Sequence, residues 1–363
     1  MKKLSFAILI SVLFFGHTIP LFAATSFTIG TWVAYWSNET GIRAATDRIS
    51  SFDEISPLVF EVNPDFTISD KTDQSETYWQ ELYAKARTEN VRLVPTVLWG
   101  DKDQIHAMLS NPEKRTAHIA AILQTIQDFG AAGIDIDYEG KYKDDKPLFS
   151  QFISELGAAL HAKNQILTCT IEARTTDAPA KSAPEKTLMA WANNYIVLGE
   201  ACDQVRVMAY DHYYLTRGAQ TWRQTTKNLG GLQADYDWTK QVITYALKYI
   251  PKQKLILGIP TYGYEFEYKD RTVTREFTRV QTVSYEKAIA IAGAHNKKLQ
   301  RFSGGEQYFT YTKNGTKRIV ILEDATIINK KIEYARSKLI AGVYLFKVEG
   351  TEDIHIWDTL KSR

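Results

Sequence analysis

Eight times along this chain a short, β-rich apolar run is followed by a helical, amphipathic stretch, and that alternation leaves few folds open. The strand candidates are Thr28–Trp36, Ile55–Val62, Arg92–Trp99, Gly133–Glu139, Ile166–Ile171, Gln204–Asp211, Lys254–Thr261 and Ala341–Phe346. Between them lie helical stretches such as Arg115–Phe129, Pro147–Ala162, Lys186–Leu198, Thr239–Tyr249 and Ile327–Leu339. Many of the strands are apolar on both faces, as a strand is when one face fills a barrel and the other lies under helices. An α/β fold of the (β/α)8 barrel type is expected, with a doubly wound open sheet as the rival. The gap before the last strand is about 80 residues and reads as strands around one helix, a small α+β insertion at about 265–322 between strands seven and eight.

The N-terminus assigns a compartment. Lys2 and Lys3 precede an apolar run from Leu4 to Phe15 that ends near the small residues Ala23 and Ala24. This is the pattern of a secretory signal peptide over 1–23, leaving a mature barrel over 24–363 that is secreted or periplasmic. The run is shorter than the roughly 20 residues of a membrane span. Lys+Arg 44 against Asp+Glu 42 gives a net charge of +2 with no basic block, which argues against a nucleic-acid partner. The two cysteines, Cys169 and Cys202, lack metal-ligand spacing and are expected as buried, reduced thiols.

Chemistry is concentrated in Gly133-Ile-Asp135-Ile-Asp137-Tyr-Glu139. Alternate side chains of a strand share a face, so the three acids point one way while Ile134, Ile136 and Tyr138 point to the helices. Stacked carboxyl groups cannot all ionise, and the outermost, Glu139, is the natural one to keep its proton. A carboxylic acid held neutral near neutral pH is a general acid. It sits at the C-terminal end of its strand, where barrels of this type do their chemistry. Asp-x-Asp as a divalent-cation site is the competing reading, and no His or Asn cluster accompanies it.

These residues resemble glycoside hydrolase family 18, the chitinase-type barrels. The family's fourth-strand signature Asp-Gly-x-Asp-x-Asp-x-Glu is matched by Ala132-Gly-Ile-Asp135-Ile-Asp137-Tyr-Glu139, with only the first acid replaced. Met208-Ala-Tyr210-Asp211 fits the sixth-strand motif, and Lys254 to Gly263 the seventh. Ile259-Pro-Thr-Tyr-Gly-Tyr264, Glu323-Asp-Ala and Glu352-Asp353 before Trp357 are similar to the spore-germination, cortex-lytic branch. The resemblance implies a glycosidase that cuts β-1,4 bonds beside N-acetylglucosamine, in peptidoglycan or chitin oligosaccharides, with no metal or organic cofactor; a monomer is expected. It implies retention assisted by the substrate's own acetamido oxygen. Glu139 is then the acid and base, and Asp137 orients the acetamido group. Asp135 holds Asp137 and shares its proton, Tyr210 bonds the acetamido oxygen, and Asp211 positions that group or the water.

Rings suit the faces of sugars. Tyr35, Trp99, Tyr262 and Phe346 are expected to contact substrate, with Met208 beside them and Trp36 and Tyr264 as further candidates. Phe346 stands where active members usually carry Trp, which is expected to slow turnover or alter the substrate. Arg174 is a substrate contact or, at least as readily, part of a surface ion pair, while His212 reads first as a satisfied loop residue and second as a substrate contact. The rival from another class is a sugar-binding lectin on the same barrel, against which the intact Glu139 speaks.

Overall fold

The structure is a computed structural model that describes residues 27–360 except 73–75, 180, 182–184, 213–220, 226–232 and 271–273. The signal peptide expected over 1–23 lies outside the described residues. Eight parallel strands form a closed barrel: β1 (Thr28–Ala34), β2 (Glu54–Val62), β3 (Thr96–Trp99), β4 (Gly133–Tyr138), β5 (Ile166–Glu172), β6 (Gln204–Met208), β7 (Leu255–Pro260) and β8 (Gly342–Phe346). β1 pairs with both β2 and β8, so the sheet has no free edge along the barrel and the open-sheet alternative is excluded.

Local chemistry explains how the acid-bearing strand is delivered. The helix Pro112–Phe129 starts on Asn111, whose side chain accepts from the backbone N–H groups of Glu113 and Lys114, with Pro112 in its first turn. It stops at Gly130, which adopts φ +69°, a left-handed value that costs glycine little. β4 begins three residues later at Gly133. A Cβ there would lie 2.1 Å from the carbonyl oxygen of Ile166, so glycine lets β4 approach β5.

Two expected elements are broken, each for a visible reason. The third strand run divides into Arg92–Leu93 and Thr96–Trp99, because Pro95 lacks the N–H that a continuous ladder needs. The helix expected over Lys186–Leu198 is a 3-10 stretch, Glu185–Ala192, followed by an α-helix, Tyr195–Ala201. Between them Asn193 is drawn into the barrel, where its side chain donates to Glu172.

The insertion forms a second, antiparallel sheet in the spatial order Gln300–Arg301, Gln307–Lys313, Thr316–Leu322, Gly263–Asp270, Thr274–Val283, Thr221–Thr225. The helix Tyr285–Ala294 covers one face through Ala288 and Ala292, packed with Phe309, Tyr311 and Val320. Thr221–Thr225 comes from the segment after β6, not from the insertion itself, and pairs with Thr274–Thr278.

The cysteines correct the expectation of free thiols: Cys169 and Cys202 form a disulfide. Cys169 faces outward from β5 toward the end of the helix Tyr195–Ala201, and the two Cα atoms lie 6.2 Å apart, within the span a bridge requires. Among the described residues no helix is long and apolar enough to cross a membrane.

Candidate active site

β4 sorts its side chains as the alternation requires. Ile134, Ile136 and Tyr138 join the core under the helices, and Tyr138 stacks on Phe152 with its hydroxyl 2.5 Å from His118 Nε2. Asp135 and Asp137 point into the barrel and are buried. Glu139 follows directly, its N–H bonded to the carbonyl of Trp99, at the C-terminal mouth.

Asp135 is anchored from four sides. It accepts from Thr170 Oγ1 at 2.8 Å, Thr96 Oγ1 at 2.8 Å and Trp32 Nε1 at 3.2 Å, and pairs with Arg206 Nη1 at 3.1 Å. The same guanidinium bonds Glu54 at 2.5 Å and Ser56 at 2.6 Å, and lies 3.8 Å from the ring centroid of Tyr344. Glu54 also accepts from the Tyr344 hydroxyl and from Arg92. This buried floor of Glu54, Arg206 and Tyr344 was not singled out in the sequence. The signal was available: charged residues at alternate positions of strands that are otherwise apolar.

Asp137 is held differently. Its Oδ1 is buried and has no hydrogen-bond partner among the described residues. Burial, then the neighbouring Glu139, Asp135 and Glu172, raise its carboxyl well above the ordinary range. For Glu139 burial comes first and Glu172 second, against the pull of Lys141, and the acid is lifted to about 7. Both carboxyls of the pair thus lean toward the neutral form. Asp135 is committed to Arg206 and three neutral donors.

Tyr210 is buried beyond the end of β6, and its hydroxyl is raised by burial and by the facing Asp137 and Glu139. Asp211, next to it, takes φ +56° and accepts at 2.7 Å from each of the Tyr262 and Tyr264 hydroxyls. Its carboxyl is raised by burial, with those two bonds opposing. Met208 packs with Tyr210, Ala234 and Phe346. Phe346 stands at the mouth with Trp32 and Tyr262 at 6.0 Å on two sides, and a cis peptide bond follows it. Tyr35 is half-buried at the rim and donates to Glu61 at 2.6 Å, while Trp36 beside it is exposed.

Trp99 is a correction. The sequence places it among the rings that meet substrate. The structure turns it outward into the helix layer, against Phe66, His118 and Tyr138, because residue 98, not 99, has the inward parity of β3. Only its margin reaches a cavity of about 260 Å³ shared with Glu61, Leu98 and Asp101. Arg174 is not at the surface: it is buried, 4.4 Å from the ring centroid of Tyr195, and donates to the carbonyl of Asn193. His212 stacks on Trp238 at 4.3 Å, with its Nδ1 3.5 Å from Asp235. The sequence also passed over Glu172 and Lys141, which are buried beside the acid pair.

Comparison with known proteins places these features in one family. The family description "Glycosyl hydrolases family 18" matches residues 31–350. A Bacillus subtilis protein named as the uncharacterized glycosylase YvbX is 27% identical over 72% of this chain and 70% of its own length. The B. subtilis cortical fragment-lytic enzyme is 26% identical over 68% of this chain, which spans only 53% of that relative. Among solved structures, the Bacillus cereus spore cortex-lytic enzyme SleL superposes with a TM-score of 0.74 at 20% identity, covering 92% of this chain and 73% of that one. A chitinase from Chromobacterium violaceum gives 0.75 at 21% identity over 93% and 98%. The barrel, the acid strand and the family match agree: this chain belongs to glycosyl hydrolase family 18 and is a glycosidase.

Proposed function

We propose that the protein is an exported hydrolase that cleaves β-1,4 bonds next to N-acetylglucosamine, in wall glycan or chitin oligosaccharides, with retention of configuration. The observation that carries this reading is Asp137 Oδ1, a buried acceptor without a partner beside an acid held neutral up to about 7. An acetamido N–H is the donor such an acceptor suits. The sugar's acetamido oxygen then attacks its own anomeric carbon while Glu139 gives its proton to the leaving oxygen. Once ionised, Glu139 removes a proton from water, which opens the oxazolinium-like ring and returns the acetamido group. Asp137 balances the charge on the acetamido nitrogen. Asp135, fixed on Arg206, holds Asp137 in place and shares its proton.

Tyr210 donates to the acetamido oxygen, and Asp211, held by Tyr262 and Tyr264, positions that group or the water. Phe346, Tyr262 and Tyr35 offer ring faces and edges to the sugars. The relatives named for cortical fragments and for chitin support an N-acetylglucosamine-containing substrate, and the basic, apolar N-terminus supports export through cleavage near Ala23.

Product analysis on N-acetylglucosamine oligomers and purified wall glycan, side by side, tests the reading. Cleavage by the parent protein, release of the β-anomer first and loss of turnover with retained binding in E139Q are expected. Equal turnover of a glycan stripped of its acetyl groups, or loss of activity on EDTA treatment, overturns it.

A further inference from the structure

Behind the acid pair lies a second pair of charges that the proposed chemistry does not use. Glu172 closes β5 on the inward face that also carries Thr168 and Thr170. The register of β4 on β5 sets Asp135 opposite Thr168 and Ile136 opposite Cys169, and three further residues bring Glu139 level with Glu172. Neighbouring strands are about 5 Å apart, so the two glutamates stand side by side at the mouth. Lys141, two residues past Glu139, folds back. Its Nζ lies 3.4 Å from Glu172 Oε2, donates to the carbonyl of Tyr138 and sits 4.9 Å from the ring centroid of Phe149.

The pair is sealed, with side-chain exposures of 0% for Lys141 and 2% for Glu172, so neither touches substrate. Asn193 donates to Glu172 Oε2 at 2.7 Å, and the Tyr195 hydroxyl donates to the Glu172 carbonyl at 3.3 Å. A buried ion pair adds little stability over an apolar pair of equal volume. What this one adds is two fixed charges of opposite sign next to a carboxyl that must change its proton during turnover.

We propose that Glu172 and Lys141 are positioning residues of the hydrolase: the Glu172 carboxylate holds the proton on Glu139, and the Lys141 ammonium limits that hold so that the proton can still be given up. The groups facing Glu139 are Asp137 on its own strand, Glu172 from β5, Lys141 from the following loop, and Tyr210 and Asp211 from the segment after β6. Facing the pair are Asn193, Tyr195 and, stacked on Tyr195, Arg174. The effects on the acids agree in direction with this placement, Glu172 raising both Glu139 and Asp137 and Lys141 lowering both.

For its kinetic readout the assignment rests on the hydrolysis proposed above, so two readouts are used. The first is the alkaline limb of the kcat/KM profile for the parent, E172Q, K141M and the K141M/E172Q double variant. E172Q keeps the shape of the site and removes the like charge, so its limb moves about one pH unit down. K141M moves the limb up, and the double variant falls between E172Q and the parent. The second is the titration of the Glu139 carboxyl by 13C NMR without substrate, its signal identified by its loss in E139Q, and the same order is expected. A merely structural pair would lower activity and melting temperature without moving the midpoints in opposite directions. Coincident midpoints in E172Q and the parent, or single variants that move the same way, overturn the proposal. If K141M does not fold, the parent, E172Q and the charge-balanced double variant decide it. Absence of turnover in a parent protein that shows this NMR order counts against the reaction and leaves the assignment standing.

Discussion

The ring of Phe346 lies parallel to that of Tyr210, 12° between planes and 5.6 Å between centroids, so the two side chains hold one another at the barrel mouth. Stacked pairs are worth about 0.5–1.5 kcal/mol beyond their burial. F346A therefore lowers kcat/KM on N-acetylglucosamine oligomers roughly tenfold. F346W, which offers the sugar a larger ring, raises kcat/KM about threefold. Steady-state kinetics on one oligomer series checks both, and an unchanged F346A removes Phe346 from the site.

The acid at position 139 gives activity a defined pH edge. In the proposed mechanism its proton is given up at the first step, so kcat/KM is expected to be sustained below pH 7 and to fall above it, about tenfold per unit. Stability carries the same signature. The folded protein keeps a proton on Glu139 that the unfolded chain has lost above the ordinary carboxyl range. Stability thus declines as pH rises from about 4.5 to about 7 and stays reduced beyond. E139Q, which cannot ionise, is expected to unfold at a higher temperature than the parent at pH 8 and at the same temperature at pH 4. Calorimetry at the two pH values separates these outcomes.

Arg206 is the cation shared by Glu54 and Asp135 inside the barrel. R206M leaves two buried carboxylates without it and lowers the free energy of unfolding by about 3–5 kcal/mol. Adding E54Q to that variant recovers part of the loss, because one buried carboxylate, left with Arg92 as its cation, goes with it. Urea titrations of the three proteins report the order directly.

The Cys169–Cys202 bridge spans 33 residues of sequence. Loop closure of that length is worth about 3–4 kcal/mol to the folded state. C169S/C202S, or the parent under reductant, melts at a lower temperature while the barrel's circular dichroism at 25 °C is retained. Free-thiol titration of the unfolded, unreduced protein yields none.

What could be read from the chain, and what could not, divides by the range of the interaction. The barrel was legible because β/α alternation is a local pattern, and the inward aim of Asp135 and Asp137 followed from the period of two in one strand. Trp99 was misread because a ring at the end of a strand was assigned to the mouth by position. Its parity, with Leu98 inward, already pointed it to the helices. The disulfide joins a strand to the end of a helix, a distance no spacing rule encodes. Glu172, Lys141 and Arg206 escaped because each means something only beside partners from other strands. A lone charged residue in a strand reads as an edge or a surface until the barrel closes around it.

One pairing of strands has an evolutionary consequence. Thr221–Thr225, which comes after β6 and the Tyr210–Asp211 pair beyond its end, is zipped onto Thr274–Thr278 of the insertion, whose neighbouring strand begins one residue after Tyr262. Tyr262 and Tyr264 in turn grip Asp211. Two excursions from separate barrel strands are thus stitched into a single wall, and neither can be lengthened or re-angled without the other following. New glycan preferences in such a lineage should arise on the opposite rim, around Tyr35 and Glu61, where a loop can change length while the gripped aspartate stays put.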